Sequence, residues 1–305
     1  MHILQIGGTG FLGAHIAQRL IAKNHQVSIL TRDTTPTVLA AKNLRFDPSE
    51  VSWIEGDILN IDEIVFSERY DMIVYTAMVP FKPGRISNRQ FKALEHLTQQ
   101  YYENTISIAQ KIGCPLILTS GANFATKDQE IADEEWPIAR TGMAALGKCY
   151  DELISTVKSQ NIIPIIEMLP AQIYGNGGMF QKILSMAKKG KLVILGDGNN
   201  YLPRIHVEDC ADAYVRVIEQ RPIGQKFIIC DDQPVTVKNF MTYLGQHYGV
   251  HRYVRIPKFI LRIVMGKYIY HTLIMGGKVS NQRLKQEIGW KPRYPSYKEG
   301  IDSLL

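Results

Sequence analysis

The 305-residue chain has only four cysteines, Cys114, Cys149, Cys210 and Cys230. None stands in Cys-x-x-Cys or Cys/His spacing, so neither a zinc site nor a disulfide framework is expected. His247, His251 and His271 are isolated and lack metal-ligand spacing, so no metal is expected either. Dispersed thiols suit a reducing compartment, and the cytoplasm is the expected location. No 18-residue stretch is free of charge, which argues against a membrane span. Met1 to Gly7 enters a strand-like pattern at once, with no charged region ahead of an apolar run, and so does not read as a secretory leader. Excess charge is small: 35 Lys and Arg against 29 Asp and Glu, a net of +6. That balance suits a phosphate-bearing ligand. The basic residues are scattered, with Lys188-Lys189-Gly190-Lys191 the one dense cluster, so nucleic acid is not the expected main partner. With 45% hydrophobic and 21% charged residues, the composition excludes disordered, collagen-like and coiled-coil chains.

What is present is a rhythm. Short apolar runs at Ile3–Ile6, Val27–Leu30, Val51–Glu55, Met72–Thr76, Leu116–Thr119 and Ile162–Met168 alternate with longer amphipathic stretches. The spacing predicts helices to about Lys23, over Arg89–Ile112 and over Met143–Val157. Such alternation predicts an α/β fold, a doubly wound parallel sheet of Rossmann type with helices on both faces. After about Pro170 the rhythm changes at Gly175-Asn176-Gly177-Gly178 and Gly196-Asp197-Gly198. Phe227–Cys230 reads as a late strand. Ile256–Val279 is apolar and basic; it reads as a helix over a substrate cleft, with contact to a membrane surface as the alternative.

Gly7-Gly8-Thr9-Gly10-Phe11-Leu12-Gly13 follows the first strand and opens the first helix. Gly7 permits a tight turn, Gly10 lets backbone N–H groups approach a diphosphate, and Gly13 allows close helix–strand packing. Thr9, Phe11 and Leu12 complete this candidate loop. An NAD site usually has an acidic residue at the end of the second strand. Here that place reads Leu30-Thr31-Arg32. A guanidinium pairs with a 2′-phosphate, so NADP is expected over NAD.

These motifs resemble the extended short-chain dehydrogenases/reductases of the NAD-dependent epimerase/dehydratase group, over nearly the whole chain. Gly56-Asp57-Ile58 matches the adenine-contact segment, Tyr75-Thr76-Ala77 the strand end beside the cofactor, and Pro170 to Gly175, including Ile173, the turn flanking the nicotinamide. Gly196-Asp197-Gly198 through His206-Val207-Glu208-Asp209 and Ile288 to Pro292 match later signatures. The resemblance implies NAD(P) binding by Asp57, Ile58, Thr76, Ala77, Thr119, Lys148, Pro170 and Ile173. It implies a cofactor-binding domain over residues 1–170, with a return segment near 205–230, and a smaller substrate domain over 171–204 and 231–305. It also implies a small-molecule substrate and a homodimer formed through the two long helices.

One family feature is missing. The family moves a proton with a Tyr-x-x-x-Lys pair and a Ser or Thr. Lys148 fits the lysine, but four residues before it stands Ala144, and Tyr150 lies on the other side of the lysine. The family's hydroxyl position falls on Gly121, with Ser120 just before it. Losing a positioned acid/base typically costs about 10²–10⁴-fold in rate. Three readings remain. The first is an oxidoreductase or epimerase-like enzyme with a substituted relay, from a desolvated Lys148 or from Ser120, Thr141, Tyr174 or Tyr201. The second is an NADP(H)-binding protein with a non-redox, structural or sensor role. The third is an RNA-associated scaffold on the same fold. Arg140, just before the Lys148 helix, and the acidic run Asp133-Glu134-Glu135 are further candidates for substrate contact. His206 reads as a structural lock on its turn.

Overall fold

The structure is a computed structural model and describes residues 1–42, 44–81, 84–127 and 129–305. The first half runs β1 (His2–Ile6), α1 (Phe11–Ala22), β2 (Gln26–Thr31), α2 (Pro36–Ala41), β3 (Ser52–Glu55), β4 (Met72–Tyr75), α3 (Asn88–Ile112), β5 (Leu116–Thr119), α4 (Lys148–Ser159) and β6 (Ile165–Pro170). The second half runs β7 (Gln172–Tyr174), α5 (Phe180–Lys188), β8 (Lys191–Leu195), β9 (Arg204–His206), α6 (Val207–Gln220), β10 (Lys226–Ile229), α7 (Val237–His247), β11 (Arg252–Ile256), α8 (Lys258–Ile274), α9 (Gln282–Ile288) and α10 (Tyr297–Asp302).

Seven strands form one parallel sheet in the order β10-β6-β5-β4-β1-β2-β3. The order reverses between β1 and β4, and ligands of doubly wound sheets bind at such a point, outside the carboxyl ends of the strands. Both faces are buried. Ile3, Ile29, Val74, Ile117, Ile166 and Phe227 point to one side, where α1 and α6 cover them. Leu4, Leu30, Ile73, Leu118 and Ile165 point to the other, against residues of α3 and α4. The near-continuous apolar runs of the sequence are what a sheet covered on both faces requires. A third core gathers Tyr174, Phe180, Leu184, Ile194, Phe240, Leu244 and Ile301 beside the small β11-β8 sheet.

Helix ends follow their local chemistry. The α3 helix opens on a capping box between Ser87 and Gln90 and stops at Gly113, whose φ of 75° is left-handed. Two expected elements are displaced. The expected strand Ile162–Met168 starts only at Ile165, because Pro164 has no N–H to give the ladder; its carbonyl still accepts from Leu116 N. The expected helix Met143–Val157 is α-helical only from Lys148. Gly142–Gly147 is a 3-10 turn, with Gly142 at φ 60°. The C-terminal half of α8 holds that turn: Met143 N donates to Thr272 Oγ1, and the Gly142 Cα lies against Thr272 and Tyr268. The α8 helix itself bends at Gly266, whose φ is 73°.

Candidate cofactor site and active site

The glycine loop leaves β1 and turns at Gly7, where φ is +98°. A Cβ on Gly7 would stand 2.5 Å from Ala77 N, and one on Gly13 would stand 2.2 Å from the Gly7 carbonyl oxygen. Neither position has room for any side chain. Gly10 is exposed and caps α1 with no side-chain cap bond. The amides of Phe11, Leu12 and Gly13 form the first turn of α1, where helical N–H groups lack intrahelical partners. They therefore face the crevice as anion donors backed by the helix dipole. The half-buried Phe11 ring packs against Gly177 and Gly178, each of which would place a Cβ within 2.7 Å of it. Phe11 thus ties the glycine loop to the 175–178 turn by its side chain. Arg45 reinforces the same tie by donating to the Asn176 carbonyl at 2.9 Å.

At the end of β2, Thr31 is buried and Arg32 is exposed. Sequence reasoning missed a second cation there. Lys42, just after α2, donates from Nζ to Thr31 Oγ1 at 2.9 Å. Partial burial and the neighbouring Arg32 charge both lower the Lys42 pKa. The Asp33 carboxylate offsets part of this effect on Lys42, and two cations held this close are still a place that a phosphate would help to neutralise. Nothing in the spacing of residues 32 and 42 marks this meeting; the turn that α2 makes creates it.

Asp57 accepts from Leu59 N at 3.0 Å, and the buried Ile58 gives its carbonyl to Asn104 Nδ2 at 2.7 Å. Thr76 and Ala77 abut the glycine loop, Thr76 N donating to the Ile6 carbonyl. Pro170 ends β6 and its carbonyl accepts from Ala122 N. Half-buried Ile173 packs on the core beneath α6. The Thr119 hydroxyl bonds to the Tyr75 carbonyl at 2.5 Å and to Tyr214 Oη at 2.7 Å, which ties β5 to β4 and α6.

Around the missing phenol the structure makes several corrections. Ala144 lies in the 3-10 turn, half-buried. Lys148 begins α4 and is exposed. Tyr150 is buried and donates to Glu167 Oε2 at 3.0 Å, on the side of α4 that packs into the sheet. Tyr174 is fully buried and donates to Asp231, which removes it as a relay. Thr141 is exposed and points its hydroxyl to Met275 Sδ at 3.0 Å. Tyr201 is half-buried beside Lys278, whose ammonium lies 4.5 Å from its ring. Ser120 remains, half-buried at the carboxyl end of β5, with its N–H donated to the Met168 carbonyl. Its hydroxyl lies beside the Tyr102 phenol of α3. Burial pushes Tyr102 up to about 12, and Ser120 and Arg140 draw it back. Tyr102 was overlooked in the sequence because an aromatic on an amphipathic helix reads as core.

Arg140 is clamped by both oxygens of Asp151 and lies against Gly147, where a Cβ would stand 2.8 Å from its Nη1. It stiffens the approach to Lys148. Glu134 is not a substrate contact: it is buried, accepts from Ile228 N at 2.9 Å and faces Arg283 at 3.7 Å. Asp209 accepts from Arg293 N and Tyr294 N, both at 2.8 Å, and so fastens the C-terminal segment to α6.

His206 caps α6 by accepting from Glu208 N and packs between the rings of Tyr294 and Tyr174. Burial lowers its pKa to about 4. An unfolded histidine near 6.5 takes up a proton that folded His206 refuses, so the stability this residue gives is full above pH 6.5. It is lost as the pH falls toward 4, a total of about 2–4 kcal/mol. Buried His15, lowered chiefly by desolvation, works in the same direction. Thermal melts from pH 7 to 4.5 should show a steeper fall in Tm for the parent chain than for His206→Asn, which keeps a cap acceptor but cannot titrate. Parallel curves would show that His206 does not carry this pH dependence.

A parallel sheet with this strand order and a glycine cradle at its switch point defines a dinucleotide-binding protein of the extended short-chain dehydrogenase/reductase type. The chain matches the NAD dependent epimerase/dehydratase family over residues 3–230, and it belongs to that family of NAD(P)-dependent oxidoreductases. It is 26% identical over 253 residues to a decarboxylating sterol-4-alpha-carboxylate 3-dehydrogenase of Candida albicans, covering 76% of this chain and 71% of that one. It is 23% identical to a 3-diazoavenalumate denitrifying reductase of a Streptomyces species, over 99% of both chains. Among solved structures, human epimerase family protein SDR39U1 with NADPH superposes with a TM-score of 0.76 at 18% identity, covering 100% of this chain and 99% of that one. The UDP-glucose 4-epimerase of Thermus thermophilus with NAD gives a TM-score of 0.78 at 16% identity, with the same coverage.

Proposed function

We propose that this protein is an NADP-preferring oxidoreductase acting on a small carbonyl- or hydroxyl-bearing metabolite, with a proton relay that does without the family tyrosine. The observation that carries the cofactor reading is the cradle: Gly7 and Gly13 have no room for a Cβ, and the helix they open faces the switch point of the sheet. Phe11, Leu12 and Gly13 amides would hold the diphosphate, Asp57 the adenine amine, and Arg32 with Lys42 the 2′-phosphate. The nicotinamide, when bound, supplies or accepts the hydride. Lys148 then has the nicotinamide ribose to hold and no proton to carry. The Ser120 hydroxyl orients the substrate oxygen and passes it a proton, with the Tyr102 phenol behind it. Substrates would enter from residues 171–204 and 231–305, opposite the cofactor half made of 1–170 and about 205–230. The expected assembly is a homodimer through α3 and the helix at Lys148, in the cytoplasm, where the four free thiols stay reduced.

Titration with NADPH and NADH tests the preference. NADPH is expected to bind at least about tenfold more tightly, the scale of one good charge-assisted phosphate contact. Arg32→Ala and Lys42→Ala should each reduce that ratio while leaving NADH affinity unchanged. Equal affinities in the parent chain would overturn the NADP assignment. Tight NADPH binding with no turnover on any ketone or enone would favour the non-redox reading, which the exposed Lys148 and the alanine at 144 keep in view.

A further inference from the structure

The segment that covers the 142–147 turn has a second face. Between Asp232 and Glu287 the chain runs 54 residues without an acidic side chain and carries nine Lys or Arg. The first two turns of α8, ahead of the Gly266 bend, sit in the middle of it. There Phe259 is 68% exposed, Ile263 66%, Val264 60% and Ile260 37%. At about 100° per residue these four fill one stripe roughly 140° wide, and Leu261, on the opposite side, is buried. Val254 of β11, which leads into α8, is also exposed. Along β11 and α8 stand Arg252, Arg255, Lys258, Arg262 and Lys267, all exposed. Lys258 has a partner in Asp197 at 3.2 Å, and Lys267 lies over the Tyr268 ring. No ion pair engages Arg252, Arg255 or Arg262 among the described residues.

We propose that this face docks the protein on an anionic membrane surface, with the α8 stripe set among the lipid chains and the arginines among the headgroups. The combination selects that occupant. A second copy of the chain, meeting this face by a two-fold axis, would bring the arginines of both copies together. A nucleic-acid backbone would satisfy the arginines and leave four large apolar side chains against water. A lipid surface of negative charge satisfies both, and a basic amphipathic helix lying in the interface is the arrangement such surfaces bind. No described helix is long and apolar enough to cross a membrane, so the contact is peripheral. It also has a place in the site's geometry. Beyond Gly266 the same helix stacks Tyr268 on Phe91, with ring centres 3.8 Å apart, and accepts from Met143 N through Thr272. The docking stripe and the residues that hold the turn leading to Lys148 therefore lie on consecutive helical pieces either side of the Gly266 kink.

The full-length protein, sedimented with vesicles of phosphatidylcholine alone or mixed with phosphatidylglycerol, tests this. Binding is expected to the mixed vesicles only, and to weaken as salt rises. Ile263→Glu and the pair Arg255→Glu/Arg262→Glu should each lower vesicle affinity by roughly tenfold or more. Their far-UV circular dichroism and NADPH affinity should stay unchanged. Absence of binding to the mixed vesicles overturns the proposal. So does equal binding by Ile263→Glu, or a self-association in solution that Ile263→Glu abolishes.

Discussion

Replacing Gly13 by alanine is expected to remove measurable NADPH binding and to lower stability by about 2–4 kcal/mol. The added methyl would stand 2.2 Å from the Gly7 oxygen and 2.8 Å from the Gly8 Cα, both backbone atoms that cannot swing away. Overpacking a close-packed site costs about 1–3 kcal/mol where side chains can adjust, and here none is involved. The clash forces α1 off β1, and the diphosphate donors move with it. Gly10→Ala makes the informative contrast. Its Cβ would meet only the Gly7 oxygen at 3.2 Å, and glycine and alanine differ modestly in such a place. Its Tm should fall little, while the methyl stands where the diphosphate must approach, so NADPH affinity should fall by about tenfold or more. Calorimetry with fluorescence titration separates the two. Gly13→Ala with normal NADPH affinity would show that this loop is not the cofactor cradle.

Much of this was written in the chain. Ile3, Ile29, Val74, Ile117 and Ile166 stand in runs short enough for strands, and a parallel sheet covered on both faces has no use for polar alternation. The glycine loop was legible because its two restrictions, a positive φ at Gly7 and a close approach at Gly13, each leave one residue type. The displaced boundaries had a common cause, tertiary contact overriding local pattern. The run Gly142 to Gly147 has an apolar period that suits a helix, but Thr272, far along the chain, takes the Met143 N–H and holds a tighter turn.

The site was legible where backbone does the binding and opaque where side chains from distant segments meet. Lys42 joins Arg32 only because α2 folds back on β2. Thr119 reads as a cofactor contact by position, and its half-buried hydroxyl also takes the partners that its neighbours offer, here Tyr75 and Tyr214, which no spacing announces. Lys148 keeps its place in the pattern at the start of α4, where it is exposed. Pattern fixes the order of residues along the chain, and desolvation depends on what the rest of the fold brings near.

Ser120→Ala should lower turnover by about 10²–10⁴-fold once a reducible carbonyl substrate is in hand, with NADPH affinity unchanged. The reasoning is by elimination and by placement. Tyr150 and Tyr174 are buried on carboxylates, Thr141 faces Met275, and the position of the family phenol is Ala144. Ser120 alone of these combines a half-buried hydroxyl with a seat at the carboxyl end of the sheet. A lone serine hydroxyl is a poor acid, so the neighbouring Tyr102 phenol matters. Burial keeps that phenol protonated at neutral pH, though it also makes it a weaker acid than a free tyrosine. Tyr102→Phe therefore should cost turnover too, by about tenfold or more, without moving the Kd for NADPH. If the two hydroxyls act as one relay, the double variant should be hardly slower than Ser120→Ala, because the second substitution removes a step already broken. Additive losses would separate Tyr102 from the relay and make it a packing residue of α3. Full turnover in Ser120→Ala would move the proton donor to another part of the cleft, with half-buried Tyr201 the next hydroxyl to replace.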